Sequence, residues 1–348
     1  MPQNVQAGDE ISALGEFGLI RHLTRDITIA NSCTELGIGD DAAVLDYGNK
    51  KVVVTTDLLT EGIHFNLEYT PLKHLGYKAA VVNFSDIFAM NAVPKQLLIS
   101  IALSGKFKIG MVESLYEGLL LACKNYGVDM VGGDTSSSLT GLTLSVTALG
   151  EGETGKIVCR SGAHPNDLVC VSGNLGAAYM GLQVLERERK VFREHPEVQP
   201  DLSDYNYILE RQLKPEARGD ILRQLAETGI LPTSMIDISD GLSSEMLHIC
   251  YESKVGCSIY ADKIPLHPAT VSAAEEFHIE PVIAALNGGE DYELLFTVPL
   301  KDFETIARQP GISIIGHITE PGEKPLLVAP GGSAMEITAQ GWNALHNK

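Results

Sequence analysis

Residues 71–91 read PLKHLGYKAAVVNFSDIFAMN, and this stretch decides how the rest of the chain is read. Apolar and small side chains fill nearly every position from Leu75 to Met90. The pattern predicts a long helix over 71–91 with no polar face for water, and a helix that is apolar all round is a buried one. Asp86 stands inside it, after Ala79-Ala80-Val81-Val82 and before Ile87-Phe88-Ala89-Met90. A lone buried carboxylate is costly unless it is paired or holds a metal. No Lys or Arg lies within one turn of it, so the choice is a more distant base, such as Lys78, or a cation.

Outward from this helix, amphipathic segments alternate with short β-branched runs. Upstream lie a helix over 10–24 and a strand over 51–56 (KVVVTT). Downstream come a strand over 96–103, a helix over 111–126, a short strand over 128–131 and a cleanly alternating strand over 142–149 (LTLSVTAL). The second half offers a strand over 168–172, helices over 175–189, 215–227 and 242–253, and a strand over 292–298. This alternation gives an α/β (α+β) chain. Glycine and glutamate break the pattern at 150–155, which suggests two domains, 1–152 and 153–348. The charged, proline-containing segment 186–204 reads as an exposed insertion.

Composition narrows the function. Hydrophobic residues make up 44% of the 348, enough for a sizeable core. The net charge is −19, from 26 Lys+Arg against 45 Asp+Glu. Nucleic acids and anionic membranes need a basic footprint, so neither is an expected partner. If the substrate carries phosphates, metal ions must offset the repulsion. The six cysteines form no CxxC pair and no zinc spacing with histidine, and most lie in apolar stretches. They read as reduced thiols of a cytoplasmic protein. The polar N-terminus lacks a signal core, and no apolar run is long enough to span a bilayer.

Two glycine-rich segments imitate nucleotide loops. Residues 150–155 (GEGETG) fit GxGxxG, and 150–156 fit the start of a Walker A motif. Walker A needs Ser or Thr after its lysine, and Ile157 follows here. Glu151 and Glu153 would face a bound phosphate, and the extended residues after them offer no helix N-terminus. A turn is the expected structure. Gly173-Asn174-Leu175-Gly176 does open a helix after a strand, so it reads as a tight turn that could touch a phosphate.

Five segments place aspartate where packing does not ask for it. They are Gly39-Asp40-Asp41, Thr55-Thr56-Asp57, Asn83-Phe84-Ser85-Asp86, Gly132-Gly133-Asp134-Thr135 and Asp237-Ile238-Ser239-Asp240-Gly241. Asp57 and Asp134 each end a hydrophobic strand, where ligand-binding residues of α/β sheets gather. Carboxylates with neighbouring hydroxyls suit magnesium, which keeps waters and substrate phosphates as further ligands. Taken singly, Asp41 or Asp240 could be a turn residue or helix cap. Joint occurrence favours metal, and no calcium-loop pattern appears.

These segments, in this order, resemble the thiamine-monophosphate kinases. The resemblance adds Glu61-Gly62-Ile63-His64-Phe65, Arg160-Ser161-Gly162-Ala163 and Gly288-Gly289-Glu290-Asp291-Tyr292-Glu293-Leu294, and runs from about Gly15 to Trp342. It implies the two-domain fold of the aminoimidazole ribonucleotide synthetase superfamily, with an N-terminal domain that pairs across a homodimer. It implies ATP as co-substrate, several magnesium ions, and thiamine monophosphate as phosphate acceptor. Asp41, Thr55, Thr56, Asp57, Asp86, Asp134, Asp237 and Asp240 would be magnesium ligands, directly or through water. Gly133, Asp134, Arg160 and Ser239 would serve ATP. His64, Glu290 and Trp342 would contact thiamine phosphate. Each has a plainer reading: Trp342 as a core residue, His64 as a satisfied structural histidine, Glu290 as a turn residue, Arg160 as a surface ion pair. The segment 186–204 is longer than expected for the family.

The acceptor oxygen would already be anionic, so no protein nucleophile or strong general base is expected. The task is to bring two polyanions together. At ~4 Å two unit charges repel by about 4 kcal/mol at an effective dielectric of 20. Direct in-line transfer aided by metal is the implied mechanism. The alternatives are a related synthetase, such as aminoimidazole ribonucleotide synthetase, or a non-catalytic metal- or nucleotide-binding protein. A selenophosphate synthetase is disfavoured, since no lysine or glycine-rich loop precedes Cys33.

Overall fold

The computed structural model describes residues 34–36, 39–48 and 50–339. The predicted helix over 10–24 and Trp342 lie outside them. The first sheet has six strands: β1 (Thr34–Leu36), β2 (Ala43–Asp46), β3 (Lys50–Thr60), β4 (Val93–Leu103), β5 (Asp129–Ser137) and β6 (Thr143–Glu153). Their spatial order is β1-β2-β3-β6-β4-β5. Only the β4–β5 pair is parallel. β3 and β6 pair along their whole length, from Lys50↔Glu153 to Thr60↔Thr143.

Helices α1 (Leu72–Ala89) and α2 (Ile109–Tyr126) follow β3 and β4. From Leu75 to Met90 every residue is buried except Asp86, which is partly exposed. The all-round apolar pattern therefore did mark a central helix. α1 and α2 touch backbone to backbone because glycine permits it. A Cβ on Gly76 would stand 1.9 Å from the Leu115 carbonyl oxygen, and one on Gly118 1.8 Å from that of Lys73.

The second sheet has seven strands: β7 (Leu168–Ser172), β8 (Ser234–Asp237), β9 (Gly256–Tyr260), β10 (Leu294–Val298), β11 (Ile312–Thr319), β12 (Leu326–Val328) and β13 (Ala334–Glu336), in the order β13-β12-β9-β11-β7-β10-β8. Around it lie α3 (Ala177–Glu194), α4 (Asn206–Leu213), α5 (Gly219–Thr228), α6 (Leu242–Ser253), α7 (Pro268–Glu276), α8 (Pro281–Asn287) and α9 (Phe303–Ile306). β7, β8 and β10 are buried on both faces. Alternate residues serve two cores. Leu168, Cys170, Leu294 and Phe296 join the hydrophobic cluster that also holds α1 and the first sheet. Val169, Val171, Leu295 and Ile236 join a second cluster with α6. One apolar cluster thus runs without a break across both sheets.

Two expectations are corrected. The segment 150–155 is not a turn at its start: β6 continues through Glu153, and the turn follows. Gly150 is needed for close packing, since a Cβ there would meet Ile87 Cγ2 at 2.3 Å. The helix expected over 175–189 runs on to Glu194, so the charged segment 186–204 begins inside α3, and its residues 190–201 are exposed as expected. Its charges clamp the helix in place: Arg189 pairs with Glu186 at 2.6 Å one turn back, and Arg193 reaches Glu68 at 2.6 Å. The irregular stretch begins at His195, just before Pro196. No helix among the described residues is long and apolar enough to cross a membrane.

Candidate active site

Three carboxylates from distant parts of the chain converge. Asp41 precedes β2, Asp86 projects from α1, and Asp237 ends β8. One oxygen of each lies within 4.8 Å of the others. Such a meeting repels itself unless protons or cations intervene. Burial, then the charges of Asp57, Asp237 and Asp41, hold the Asp86 carboxyl well above the usual carboxylate range, while a hydrogen bond from Thr55 opposes the rise. Asp237 is pushed up to about 7, first by burial and then by Asp41. Asp57 acts on both through its charge, so it belongs to the same anionic field.

Neighbouring side chains fix the aim of these groups. The Thr55 hydroxyl donates to Asp86 Oδ2 at 2.6 Å, and Ser85 donates to Asp237 Oδ2 at 2.6 Å. Arg160 forks onto Asp41, with Nη2 to Oδ1 at 2.8 Å and Nε to Oδ2 at 3.2 Å. This bidentate geometry is also the one arginine uses for phosphate. Its backbone N–H lies 3.2 Å from both Asp40 oxygens. Asp40 is pushed up to about 7, mainly by burial and by Asp41.

The remaining expected residues lie outside this cluster of three carboxylates. Thr56 points to the other face of β3, where its hydroxyl donates to the Val146 carbonyl at 3.0 Å. Asp134 is exposed on the outer strand β5, with Oδ1 accepting the Thr135 N–H at 2.8 Å. Beside it, Gly133 has a packing reason of its own: a Cβ would stand 1.7 Å from the Ile99 carbonyl oxygen. Neither Asp134 nor Asp240 is part of the three-carboxylate cluster. The Asp240 N–H is held by Glu245 Oε1 at 2.9 Å, so the Asp237–Gly241 turn is braced from inside α6. Ser239 is exposed on that turn, and its carbonyl accepts the Glu290 N–H at 2.7 Å. His64 sits after β3, its Nδ1 accepting the Thr60 N–H at 3.0 Å, which assigns the proton of the neutral ring to Nε2.

Long-range partners could not be seen in the sequence. Lys78 does not pair with Asp86; it reaches Glu290 at 2.9 Å. Ser85, beside Asp86 in sequence, aims its hydroxyl at Asp237 in the other half of the chain, a role its sequence neighbours do not signal. The anion at the N-terminus of α3 is the protein's own: Asp291 accepts from Gly176 N–H at 2.7 Å and Ala178 N–H at 3.4 Å. That contact closes the phosphate reading of residues 173–176. Glu293 binds Arg211 at 2.9 Å and also Arg218, which ties β10 to α4 and α5. A cleft of about 420 Å³ between the end of β4 and the start of α2, lined by Leu103, Phe107, Ile109, Val112 and Tyr116, was also unannounced by any motif.

Comparisons with known proteins agree on one neighbourhood. Residues 39–151 match the family described as AIR synthase related protein, N-terminal domain. The chain is 34% identical over 337 residues to thiamine-monophosphate kinase of Bacillus subtilis (strain 168), covering 95% of this chain and 99% of the relative. It is 36% identical over 294 residues to thiamine-monophosphate kinase of Escherichia coli (strain K12), covering 82% and 83%. Among solved structures, AaThiL complexed with AMPPCP and TMP superposes with a TM-score of 0.82 at 34% identity, covering 97% of this chain and 99% of that one.

Proposed function

Because this chain belongs to the thiamine-monophosphate kinase family, we propose that it transfers the terminal phosphoryl group of ATP to the phosphate of thiamine monophosphate, giving thiamine diphosphate and ADP. The observation that carries the chemistry is the convergence of Asp41, Asp86 and Asp237 within 4.8 Å. Their hard oxygen donors, with Asp57 and the Thr55 hydroxyl beside them, fit magnesium better than any softer metal. Asp240, on the turn after Asp237, and Asp134, on the outer strand β5, remain further candidate ligands, whereas the Thr56 side chain faces the other side of β3. When bound, magnesium ions would cancel the repulsion between the two phosphate groups.

The chain's own residues do the rest. Arg160 is held in place by Asp41 through Nε and Nη2, which leaves its Nη1 edge for an ATP phosphate oxygen, and Gly133 and Ser239 flank the nucleotide. His64 and Glu290 receive the thiamine end, together with Trp342. No side chain acts as nucleophile. The acceptor phosphate oxygen attacks the terminal phosphorus of ATP in line, the bond from that phosphorus to the bridging oxygen breaks, and ADP leaves.

The working unit is a homodimer formed through the first sheet, in keeping with the exposure of Leu58 at 59% and Val131 at 57% on its strands. The domains divide at 152/153, within the last residues of β6 and just before the turn at 154–156. Five described cysteines are free, which suits a cytoplasmic enzyme. An ADP-release assay with thiamine monophosphate, thiamine and aminoimidazole precursors tests the reading. Magnesium-dependent release with thiamine monophosphate alone is expected, and release only with another acceptor would refute it.

A further inference from the structure

Lys78 is 4% exposed in the middle of the most buried helix of the protein. Its ammonium donates to Glu290 Oε1 at 2.9 Å and to the Gln212 carbonyl at 3.0 Å. Gln212, 6% exposed, donates its side-chain amide to Glu290 Oε2 at 2.7 Å. Both oxygens of one carboxylate are therefore gripped, from α1 and from α4. A buried lysine is expensive to place, and here it serves a carboxylate whose side chain remains 29% exposed. The backbone points the same way. Glu290 has φ +66, a left-handed conformation that glycine or asparagine adopts at less cost. Glutamate is kept there at a backbone cost, paired with the buried Lys78 yet still partly open to solvent.

The placement along α1 is informative. Lys78 and Ser85 are seven residues apart and so share a face. Ser85 orients Asp237 in the carboxylate cluster while Lys78 orients Glu290. Lys78 and Asp86 are eight residues apart, roughly 12 Å along a helix axis. One helix thus holds the phosphate-handling end and the Glu290 end at a fixed spacing. Thiamine monophosphate has its phosphate and its aminopyrimidine at opposite ends.

We propose that Lys78 is a positioning residue that, with Gln212, fixes Glu290 as a hydrogen-bond acceptor for the amino group of the substrate's pyrimidine. The proposal rests on the reading of Glu290 as a substrate contact. Lys78 cancels the charge of Glu290, so the pair offers an oriented acceptor instead of a net negative charge. A carboxylate accepts about four hydrogen bonds and two are used here, which leaves lone pairs for an N–H donor. An analogue with oxygen in place of the amino group presents no such donor and is selected against.

The test is steady-state kinetics of the full enzyme with thiamine monophosphate and its 4-oxopyrimidine analogue. Lys78→Met is expected to raise KM for thiamine monophosphate about tenfold, equivalent to about 1.4 kcal/mol. KM for ATP and kcat should hold, discrimination against the oxo analogue should shrink, and Lys78→Arg should restore part of the loss. Equal rises in both KM values, or undiminished discrimination in Lys78→Met, would overturn the proposal. Gln212→Leu keeps the Lys78–Glu290 pair and serves if Lys78→Met does not fold. It is expected to raise KM for thiamine monophosphate about threefold with KM for ATP unmoved, and no change there would also overturn the proposal. Wild-type enzyme that releases no ADP with thiamine monophosphate would overturn the functional reading itself, whereas active wild type with an indifferent Lys78→Met removes only the role of Lys78.

Discussion

Replacing Asp237 by asparagine should stabilise the metal-free protein at alkaline pH while destroying its response to magnesium. Asp237 is 3% exposed and stands at about 7 against an ordinary value of 3.8. A folded-state value above the unfolded one means that the carboxyl binds its proton more tightly when folded. Its stability contribution is complete below about pH 4 and is lost as pH rises through about 7. A shift of about three units corresponds to about 4 kcal/mol. That is a ceiling, because protonating one carboxylate relieves its neighbours. Asparagine keeps an oxygen for the Ser85 hydroxyl but cannot ionise. Urea unfolding in chelator, at about pH 5 and about pH 8, reads the difference. Wild type should lose stability between the two, and Asp237→Asn should lose less. With magnesium added at the higher pH the order should reverse, because only wild type gains from metal binding. A variant destabilised equally at both pH values, with an intact magnesium response, would refute the reasoning.

Other outcomes can be checked directly. Asp57→Ala and Asp134→Ala are expected to cut turnover by at least about a hundredfold while leaving the urea midpoint within the range of ordinary surface changes; wild-type activity in either would end the metal reading. Chiral-phosphate analysis should show inversion at the transferred phosphorus, and retention would reveal a phosphoenzyme. Gly118→Ala places a Cβ 1.8 Å from the Lys73 carbonyl oxygen, so it should cost about 1–3 kcal/mol or more in unfolding free energy. An unchanged midpoint would show that α1 and α2 can separate freely. Light scattering should give twice the mass of one chain, and a monomer at working concentrations would refute the pairing of the first sheet.

Much of the centre was legible because its signals are local. A carboxylate inside an apolar helical run can be seen without knowing the fold, and Asp86 is indeed the partly exposed position in a buried stretch. Asp57 and Asp134 read as the ends of hydrophobic strands, yet β3 runs on to Thr60 and the largely exposed β5 to Ser137, so both lie within their strands. What escaped the sequence depends on contacts across the chain. Lys78 lies within reach of Asp86 by sequence, eight positions away, yet its partner is Glu290 in the other half. Asp291 reads like any acidic motif residue until the N-terminus of α3 is seen to point at it. Residues 186–204 read as an exposed insertion because charge and proline interrupt the pattern, yet the helix runs on through 194. The charges are instead spaced to pair along a helix and across to Glu68.

The apolar cluster shared by both sheets bears on how the chain responds to cutting. The turn at 154–156 invites nicking, yet a cut there would not free two self-sufficient pieces. Phe84 and Ile87 on one side and Cys170, Leu294 and Phe296 on the other complete a single interior. Fragments made apart would each display a raw greasy surface and aggregate. Produced together, they should find each other and rebuild the enzyme, which makes this junction a natural place for split-protein complementation.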